Sequence, residues 1–193
     1  MIPKTDNLVT IPNKNSVGVI VGRFQVPDLH EGHKGIIEEV QENHAKVLIV
    51  LGVAPIKATK NNPLDFKARQ KMIETAFPNV DVVYAVDQAD NQVWVTKVEE
   101  IIEQNCPPLK SITLYGSRDS FIDTYKLAGG KFPTKELLPR FIISGTQERD
   151  LASLKVKETS DFRRGVAWAT GNRFPTSYQA VDIAIVKKGT VIA

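Results

Sequence analysis

The sequence predicts an α/β fold in which a parallel sheet of about five strands is covered by helices on both faces. Solid apolar runs of strand length recur along the chain, and amphipathic stretches of helical length separate them. Strands that are buried on both faces read as continuous apolar runs rather than alternating ones, which favours parallel pairing. A third observation is that polar, glycine-containing segments follow the strands, where parallel sheets bind ligands.

The predicted elements follow one another in a strand–helix order. The strands are expected at 17–22, 46–54, 80–87, 111–117 and 140–144. The helices are expected around Ile36 to Val40, from about Asp65, over 91–105 and across a helical region at 146–170. Residues 1–16 read as an N-terminal arm, 17–170 as the main domain, and 171–193 as a linker with a hairpin-like C-terminal tail that turns near Lys188 and Gly189.

Composition excludes several classes of protein. The chain has 193 residues, 25 basic and 22 acidic side chains and a net charge of +3, which is too mild to indicate nucleic-acid or membrane binding. Cys106 is the single cysteine, so no intrachain disulfide can form. The N-terminus does not resemble a signal peptide, and no segment approaches the ~20 apolar residues of a membrane helix. We therefore expect a cytoplasmic protein.

Five polar segments are expected to meet at one edge of the sheet. They are the segments that follow the predicted strands, at 22–24, 52–63, 87–94, 116–119 and 144–149. The carboxyl ends of parallel strands share one edge, and ligands of open α/β sheets bind in the crevice outside it. The sequence therefore predicts one ligand crevice built from these five segments.

The stretch VGRFQVPDLHEGHKGII at 21–37 contains the most specific chemistry. A strand that ends in glycine and leads into a helix start offers free backbone N–H groups and a helix dipole, which together form an anion site. His30 and His33 lie three residues apart and so share one side of the first turn, and Arg23 adds a planar cation suited to phosphate. This combination favours a triphosphate whose α-phosphorus is attacked. The alternative is a structural turn with two surface histidines.

These residues carry a family resemblance. GRFQVPDLHEGH resembles the signature GRFQPxHxGH of Rossmann-like adenylyltransferases and cytidylyltransferases, with a spacer that is two residues longer. Four further segments, at 61–73, 90–98, 114–120 and 143–150, are similar to motifs of the nicotinamide mononucleotide adenylyltransferases of the archaeal type and of their bifunctional adenylyltransferase–Nudix relatives. All five segments occur in the family's order between residues 17 and 170.

The resemblance implies a Rossmann-like nucleotidyltransferase that makes NAD and pyrophosphate from ATP and nicotinamide mononucleotide. Nicotinic acid mononucleotide stays open as an acceptor, as does a homo-oligomeric state. The implied catalytic residues are His33, His30 and Arg23. The implied ATP-binding residues are Gly22, Arg23, Phe24, His30, His33, Gly116, Arg118, Asp119, Ser144, Thr146 and Arg149. The implied mononucleotide-binding residues are Arg69, Asn91 and Trp94. Mg²⁺ is expected to arrive with the nucleotide, without protein ligands.

Competing interpretations remain for several of these residues. Trp94 could be a core residue that packs with Val98 and Ile101, and Arg69 could be a solvated helix arginine. The pair Arg163-Arg164 could take the phosphate role of Arg149, although the position of Arg149 in the resembling motif favours Arg149.

The alternatives for the whole chain are a sibling enzyme that acts on another phosphate monoester and a nucleotide-sensing domain without turnover. The tail resembles the start of a Nudix domain, but the sequence ends before a Glu-rich Nudix helix. No hydrolysis of ADP-ribose is therefore expected from this chain.

Overall fold

The computed structural model describes residues 13–56, 59–106, 111–117, 120–137, 144–155, 160–171, 185–187 and 190–192. The chain forms two compact units, residues 1–152 and residues 153–193. The first unit contains a five-stranded sheet with helices, and the second contains a helix and a two-stranded hairpin.

The sheet of the first unit is parallel throughout. Its strands are β1 (Asn13–Gly22), β2 (His44–Val53), β3 (Val80–Val86), β4 (Ser111–Gly116) and β5 (Thr134–Glu136). Their spatial order is β3-β2-β1-β4-β5, and every neighbouring pair runs in the same direction. The chain moves outward from β1 to β3 and then returns to place β4 on the other side of β1. The predicted parallel sheet is confirmed, and its strand order reverses beside β1, which is where such sheets bind ligands.

Helices cover both faces of this sheet, as predicted. The covering helices are α1 (Glu31–Asn43), α2 (Phe66–Ala76), α3 (Asn91–Asn105) and α4 (Ile122–Leu127). The chain also forms α5 (Gly145–Lys155) and, in the second unit, α6 (Ser160–Gly171). Ile37 of α1 and Ile73 of α2 are buried in one core cluster. Val98 of α3 and Tyr125 of α4 are buried in the other. The strands separate the two clusters because their side chains alternate between the faces.

Two strands differ from the predictions. β1 begins four residues before the predicted start at Val17. The fifth strand of the sheet is β5, whereas the predicted strand at 140–144 lies outside the described residues apart from Ser144, which precedes α5. β5 consists of Thr134, Lys135 and Glu136, so it has no apolar run by which the sequence could reveal it. A short, charged strand is typical of a sheet edge.

The C-terminal hairpin is confirmed. β6 (Ile185–Lys187) and β7 (Thr190–Ile192) pair in antiparallel fashion, with Val186 opposite Val191. The predicted turn residues, 188 and 189, lie outside the described residues. Among the helices that the structure describes, none is long and apolar enough to cross a membrane.

Candidate active site

The loop after β1 is fixed to the segment before α2 by one buried side chain. Gln25 is 6% exposed. Its Oε1 accepts a hydrogen bond from the backbone N–H of Leu64 at 2.9 Å, and its Nε2 donates to the carbonyl of the same residue at 3.0 Å. An amide side chain that satisfies both backbone groups of one residue is a specific clamp. The predicted segments 22–24 and 52–63 are therefore held next to each other.

The start of α5 is joined to the same loop. Arg149 donates from Nη1 to the carbonyl of Gln25 at 2.9 Å and from Nη2 to Oγ1 of Thr146 at 3.1 Å. The hydroxyl of Ser144 accepts from the backbone N–H of Gln147 at 3.4 Å at the beginning of the helix. The structure therefore brings three predicted phosphate-binding residues, Ser144, Thr146 and Arg149, to the loop that follows β1. A helix N-terminus with an adjacent arginine is suited to an anion.

The two histidines meet at the start of α1. His30 is the N-cap of the helix, and its Nδ1 accepts from the backbone N–H of His33 at 3.3 Å. The two rings stack with centroids 3.8 Å apart, and the ring of Phe24 stacks on His33 at 4.7 Å. Because Nδ1 of His30 is an acceptor, the proton of its neutral ring lies on Nε2. The predicted pair is thus brought together with Phe24 next to the end of β1.

Phe24 adopts an unusual backbone conformation to reach this position. Its φ is +48°, in the left-handed region that non-glycine residues rarely occupy. Its side chain is 6% exposed and belongs to the core cluster on the α1 side. Burial of the ring and its stacking on His33 therefore offset the backbone strain, which is of order 1–3 kcal/mol.

His33 is uncharged at neutral pH. Burial, together with the neighbouring His30, lowers the pKa of His33 to about 3. Nδ1 of His33 is buried and has no hydrogen-bond partner among the described residues. Burial also lowers the pKa of His30. A phosphate placed against these rings would favour their protonated forms, because a nearby anion stabilises a cation. Without such an anion, the ring of His33 is neutral at pH 7.

Arg23 is held by two residues from other loops. Its Nη2 contacts Oδ2 of Asp87 at 2.8 Å, and its Nη1 donates to Oδ1 of Asn62 at 3.0 Å. Half of the Arg23 side chain is exposed. Arg23 follows β1, Asn62 lies in the segment after β2, and Asp87 follows β3. The segments that follow three neighbouring strands are therefore connected at one cation.

Arg69 lies beneath this cation. It is 1% exposed, so it is not the solvated helix arginine of the competing interpretation. Its Nη1 donates to the carbonyls of Arg23 at 2.7 Å and Gly52 at 2.9 Å, and its Nε donates to the carbonyl of Asp65 at 3.1 Å. Burial, and to a lesser degree the charge of Arg23, lowers the pKa of Arg69. Arg69 therefore supports the crevice from below, and its predicted contact with the mononucleotide stays a prediction.

Trp94 is partly buried and combines features of both interpretations. It packs against the core cluster that contains Val98, and its ring meets that of Phe121 edge to face at a centroid distance of 6.0 Å. Asn91 is exposed at the first position of α3. The spacing of three residues places Asn91 and Trp94 on one side of the helix start. Their predicted role in binding the mononucleotide stays a prediction.

The remaining predicted residues lie at the ends of β1 and β4. Gly22 ends β1, and a Cβ on it would lie 3.0 Å from the ring of Phe24. Glycine at this position therefore leaves room for the ring. A side chain at Gly116 would overlap Ser120. Arg118 and Asp119 lie outside the described residues.

Sequence reasoning missed two residues that bind site side chains. Asp87 and Asn62 hold Arg23, yet neither was a candidate site residue. The available signal for Asp87 was its position, since an acidic side chain directly after a buried strand lies at the ligand edge of a parallel sheet. The partner of a surface arginine, however, depends on side-chain conformation that spacing does not reveal.

Two grooves formed by the described residues do not coincide with this crevice. These open grooves of about 560 Å³ each run along the outer edge of β3. None of the predicted site residues lines either groove. Strand topology and side-chain chemistry, rather than an enclosed cavity, therefore define the candidate site.

The fold and the crevice define the class of protein. A parallel sheet with the order β3-β2-β1-β4-β5 defines a doubly wound α/β protein that binds ligands where the strand order reverses. The histidine pair and Arg23 lie at the segments that follow β1 at this edge. The sequence of the chain matches the cytidylyltransferase-like family over residues 19–151. The chain belongs to this family.

Individual relatives agree with this membership. A nicotinamide-nucleotide adenylyltransferase of Methanocorpusculum labreanum is 30% identical over 136 residues, which cover 68% of this chain and 76% of the relative. The enzyme of that name from Methanoculleus marisnigri is 27% identical over 135 residues, with 68% and 76% coverage. The predicted relationship to the nicotinamide mononucleotide adenylyltransferases is confirmed.

A solved structure shows the same fold. The bifunctional NMN adenylyltransferase/ADP ribose pyrophosphatase from Francisella tularensis superposes with a TM-score of 0.66 at 21% identity. The match covers 74% of this chain and 43% of the Francisella enzyme, so this chain spans less than half of that protein. At this identity the likeness concerns the fold.

The neutral state of buried His33 predicts a pH-dependent stability. The unfolded chain binds a proton at His33 near pH 6.5 and the folded chain only near pH 3, so the free energy of unfolding falls as the pH drops below 6.5. The contribution of one such group is at most about 1.4 kcal/mol per pH unit. Chemical denaturation of the protein and of His33→Gln between pH 7.5 and 4 measures it. The variant should lose stability less steeply, whereas parallel profiles would contradict the assignment.

Proposed function

We propose that the chain transfers the adenylyl group of ATP to nicotinamide mononucleotide, giving NAD and pyrophosphate. The observation that carries this proposal is the stacked pair of His30 and His33 at the start of α1, beside the end of β1. The names of its relatives in two methanogens support the choice of acceptor.

The ATP phosphates are proposed to bind between the histidine pair and the start of α5. Thr146 and Arg149 supply donors on the α5 side, and His30 and His33 supply donors on the α1 side. The contact between Arg149 and the carbonyl of Gln25 supports this arrangement, because it ties the two sides together. The pair Arg163-Arg164 stays the alternative to Arg149 for this role.

The proposed chemistry is a direct in-line displacement. A phosphate oxygen of the mononucleotide forms the new bond to the α-phosphorus of ATP, the bond from that phosphorus to the bridging oxygen breaks, and pyrophosphate leaves with the electron pair. Such a reaction needs positioning and charge stabilisation rather than a protein nucleophile. The two imidazoles can supply hydrogen bonds that strengthen as negative charge builds on the transferred group.

Mg²⁺ is proposed to enter as the complex with ATP. Among the described residues, no group of three histidine, cysteine or carboxylate side chains is placed to hold a metal ion. The donor set of the crevice instead consists of cations and imidazoles, which fit phosphate oxygens. A structure of the Francisella enzyme contains AMP and a manganese ion, with a TM-score of 0.62 and 21% identity. The metal would neutralise phosphate charge and orient the leaving group.

The nicotinamide ring is proposed to lie against Trp94. The ring of the mononucleotide is a cation, and an indole face attracts a cation by about 0.5–2 kcal/mol. Asn91 can hydrogen-bond the carboxamide from the same side of α3. Whether nicotinic acid mononucleotide is also used depends on this amide contact.

Turnover tests the proposed reaction. We expect pyrophosphate release and NAD formation with ATP and nicotinamide mononucleotide, and little release when CTP replaces ATP. His33→Ala should lower turnover about 100- to 1,000-fold, because a donor to the developing charge is lost. Lys34→Ala is the matched control, since Lys34 pairs with Glu31 on the surface of the same helix turn.

Two results would overturn the proposal. Release that requires a different phosphate monoester would identify a sibling nucleotidyltransferase. Nucleotide binding without turnover on any member of an acceptor panel would identify a sensing domain.

Trp94 provides a test of the acceptor. Trp94→Leu keeps an apolar side chain against the core but removes the aromatic face, so the KM for the mononucleotide should rise about 2- to 30-fold, in line with the cation–π energy above. The KM for ATP should stay nearly unchanged. Phe121→Leu alters the same ring contact without removing the indole and serves as the control. Equal losses for both substrates would make Trp94 a core residue only.

A further inference from the structure

The guanidinium of Arg23 is oriented by other residues and still has donors to offer. Its Nη2 is engaged by Asp87 and its Nη1 by Asn62, each through one hydrogen bond. A guanidinium carries five N–H donors, so three stay available on Nε and the two terminal nitrogens. With half of the Arg23 side chain exposed, these donors are accessible to an anion.

Both partners of Arg23 are themselves fixed. The backbone N–H of Asp87 donates to the carbonyl of Val53 at 2.9 Å, which extends the pairing of β2 and β3 by one residue. Only 27% of the Asp87 side chain is exposed. The backbone N–H of Asn62 donates to the carbonyl of Thr59 at 3.1 Å. A cation held by two anchored acceptors has lost most of its rotamer freedom before any ligand arrives.

The contact between Arg23 and Asp87 lies next to Gly52. A Cβ on Gly52 would lie 3.5 Å from Oδ1 of Asp87 and 3.6 Å from Cγ of Arg23. The ion pair therefore passes over the end of β2, against a residue without a side chain. Beneath it, Arg69 fixes the carbonyls of both Gly52 and Arg23.

The ion pair directs Arg23 toward one half of the crevice. Arg23 leaves β1 and reaches across β2 to the residue that follows β3. The helix that follows Asp87 is α3, which carries Asn91 and Trp94 at its start. The histidine pair contacts Phe24, and Arg149 of α5 contacts Gln25. Phe24 and Gln25 are the two residues that follow Arg23 in the sequence. Arg23 is thus held by Asp87, which precedes Asn91 at the start of α3 by four residues.

We propose that Asp87 is a positioning residue that holds Arg23 for the phosphate of the acceptor nucleotide rather than for ATP. This inference rests on the proposed function, since it concerns the acceptor of that reaction. The carboxylate fixes the guanidinium through Nη2, and the remaining N–H groups bind the phosphate monoester. Asp87 itself does not touch the substrate.

Two effects of the carboxylate oppose each other. Asp87 reduces the net charge that an incoming phosphate meets, and it also removes the cost of immobilising a long side chain. Immobilisation of a rotamer-rich side chain costs about 0.5–1.5 kcal/mol, which corresponds to about 2- to 13-fold in affinity. Partial exposure to water raises the effective dielectric constant and so reduces the lost attraction. We expect positioning to be the larger effect.

The test distinguishes the contribution of the acceptor's phosphate to binding from the contribution of the rest of the acceptor. Isothermal titration calorimetry measures the affinities of nicotinamide mononucleotide, nicotinamide riboside and ATP for the full chain. Asp87→Ala should weaken binding of the mononucleotide about three- to tenfold and leave the riboside, which has no phosphate, nearly unchanged. ATP affinity should also stay nearly unchanged. Asp87→Asn should retain most of the affinity, because its amide oxygen still accepts from Nη2.

Asp81→Ala is the matched control, since Asp81 lies on β3, six residues before Asp87, and forms an ion pair with Lys46 of β2 at 2.7 Å. It should change none of the three affinities. The inference is overturned if Asp87→Ala leaves the mononucleotide unaffected, tightens it, or weakens the riboside equally. It is also overturned if ATP loses the most affinity. Absence of mononucleotide binding to the unmodified chain would instead overturn the proposed function, so the two failures are distinguishable.

Discussion

The crevice depends on one buried cation. Arg69 comes from α2, but its guanidinium binds three carbonyls from other segments. They belong to Arg23, which follows β1, to Gly52 near the end of β2, and to Asp65, which precedes α2. Burying a charge is costly unless it is paired or fully hydrogen-bonded, and each carbonyl left without a partner would cost about 1–3 kcal/mol. The contacts therefore stabilise each other, and the loops that carry Arg23 and Asn62 are held in one arrangement.

The positive charge of two side chains above this support is reduced before any phosphate binds. His33 is buried against Phe24 and His30, which lowers its pKa, and the charge of Arg23 is balanced by Asp87. An entering phosphate would reverse this balance, because its charge favours protonated imidazoles and binds the remaining guanidinium donors. Negative charge is thus stabilised most when it is largest, which is the requirement for catalysis by charge stabilisation.

The sheet could be predicted from the sequence, and the contacts of the site could not. Four strands are solid apolar runs and α3 was predicted with both of its ends, because burial on two faces and helical periodicity leave direct traces in the order of residues. β5 has three residues and no apolar run, so its pairing depends on the sheet edge already formed. The histidine pair could be predicted because a spacing of three brings side chains together within one helical turn.

The partners of the arginines could be identified only from the folded structure. Arg23 and Asp87 are 64 residues apart, and Arg149 and Gln25 are 124 residues apart. No periodicity links such positions, and a guanidinium can satisfy its donors with many acceptors. The burial of Arg69 is a similar case, since an arginine on an amphipathic helix is usually solvated.

The effect of Arg69→Lys on substrate affinity and on thermal melting tests most directly whether Arg69 organises the crevice. A lysine cannot reach three carbonyls with its single ammonium group in the fork geometry of a guanidinium. We expect a lower melting temperature together with weaker binding of both ATP and nicotinamide mononucleotide by calorimetry, because the loops that position both would lose their common support. Unchanged affinities for both substrates in the folded variant would contradict the claim that Arg69 organises the crevice. Loss of the mononucleotide alone, at an unchanged melting temperature, would also contradict it and would make Arg69 a direct ligand of the acceptor.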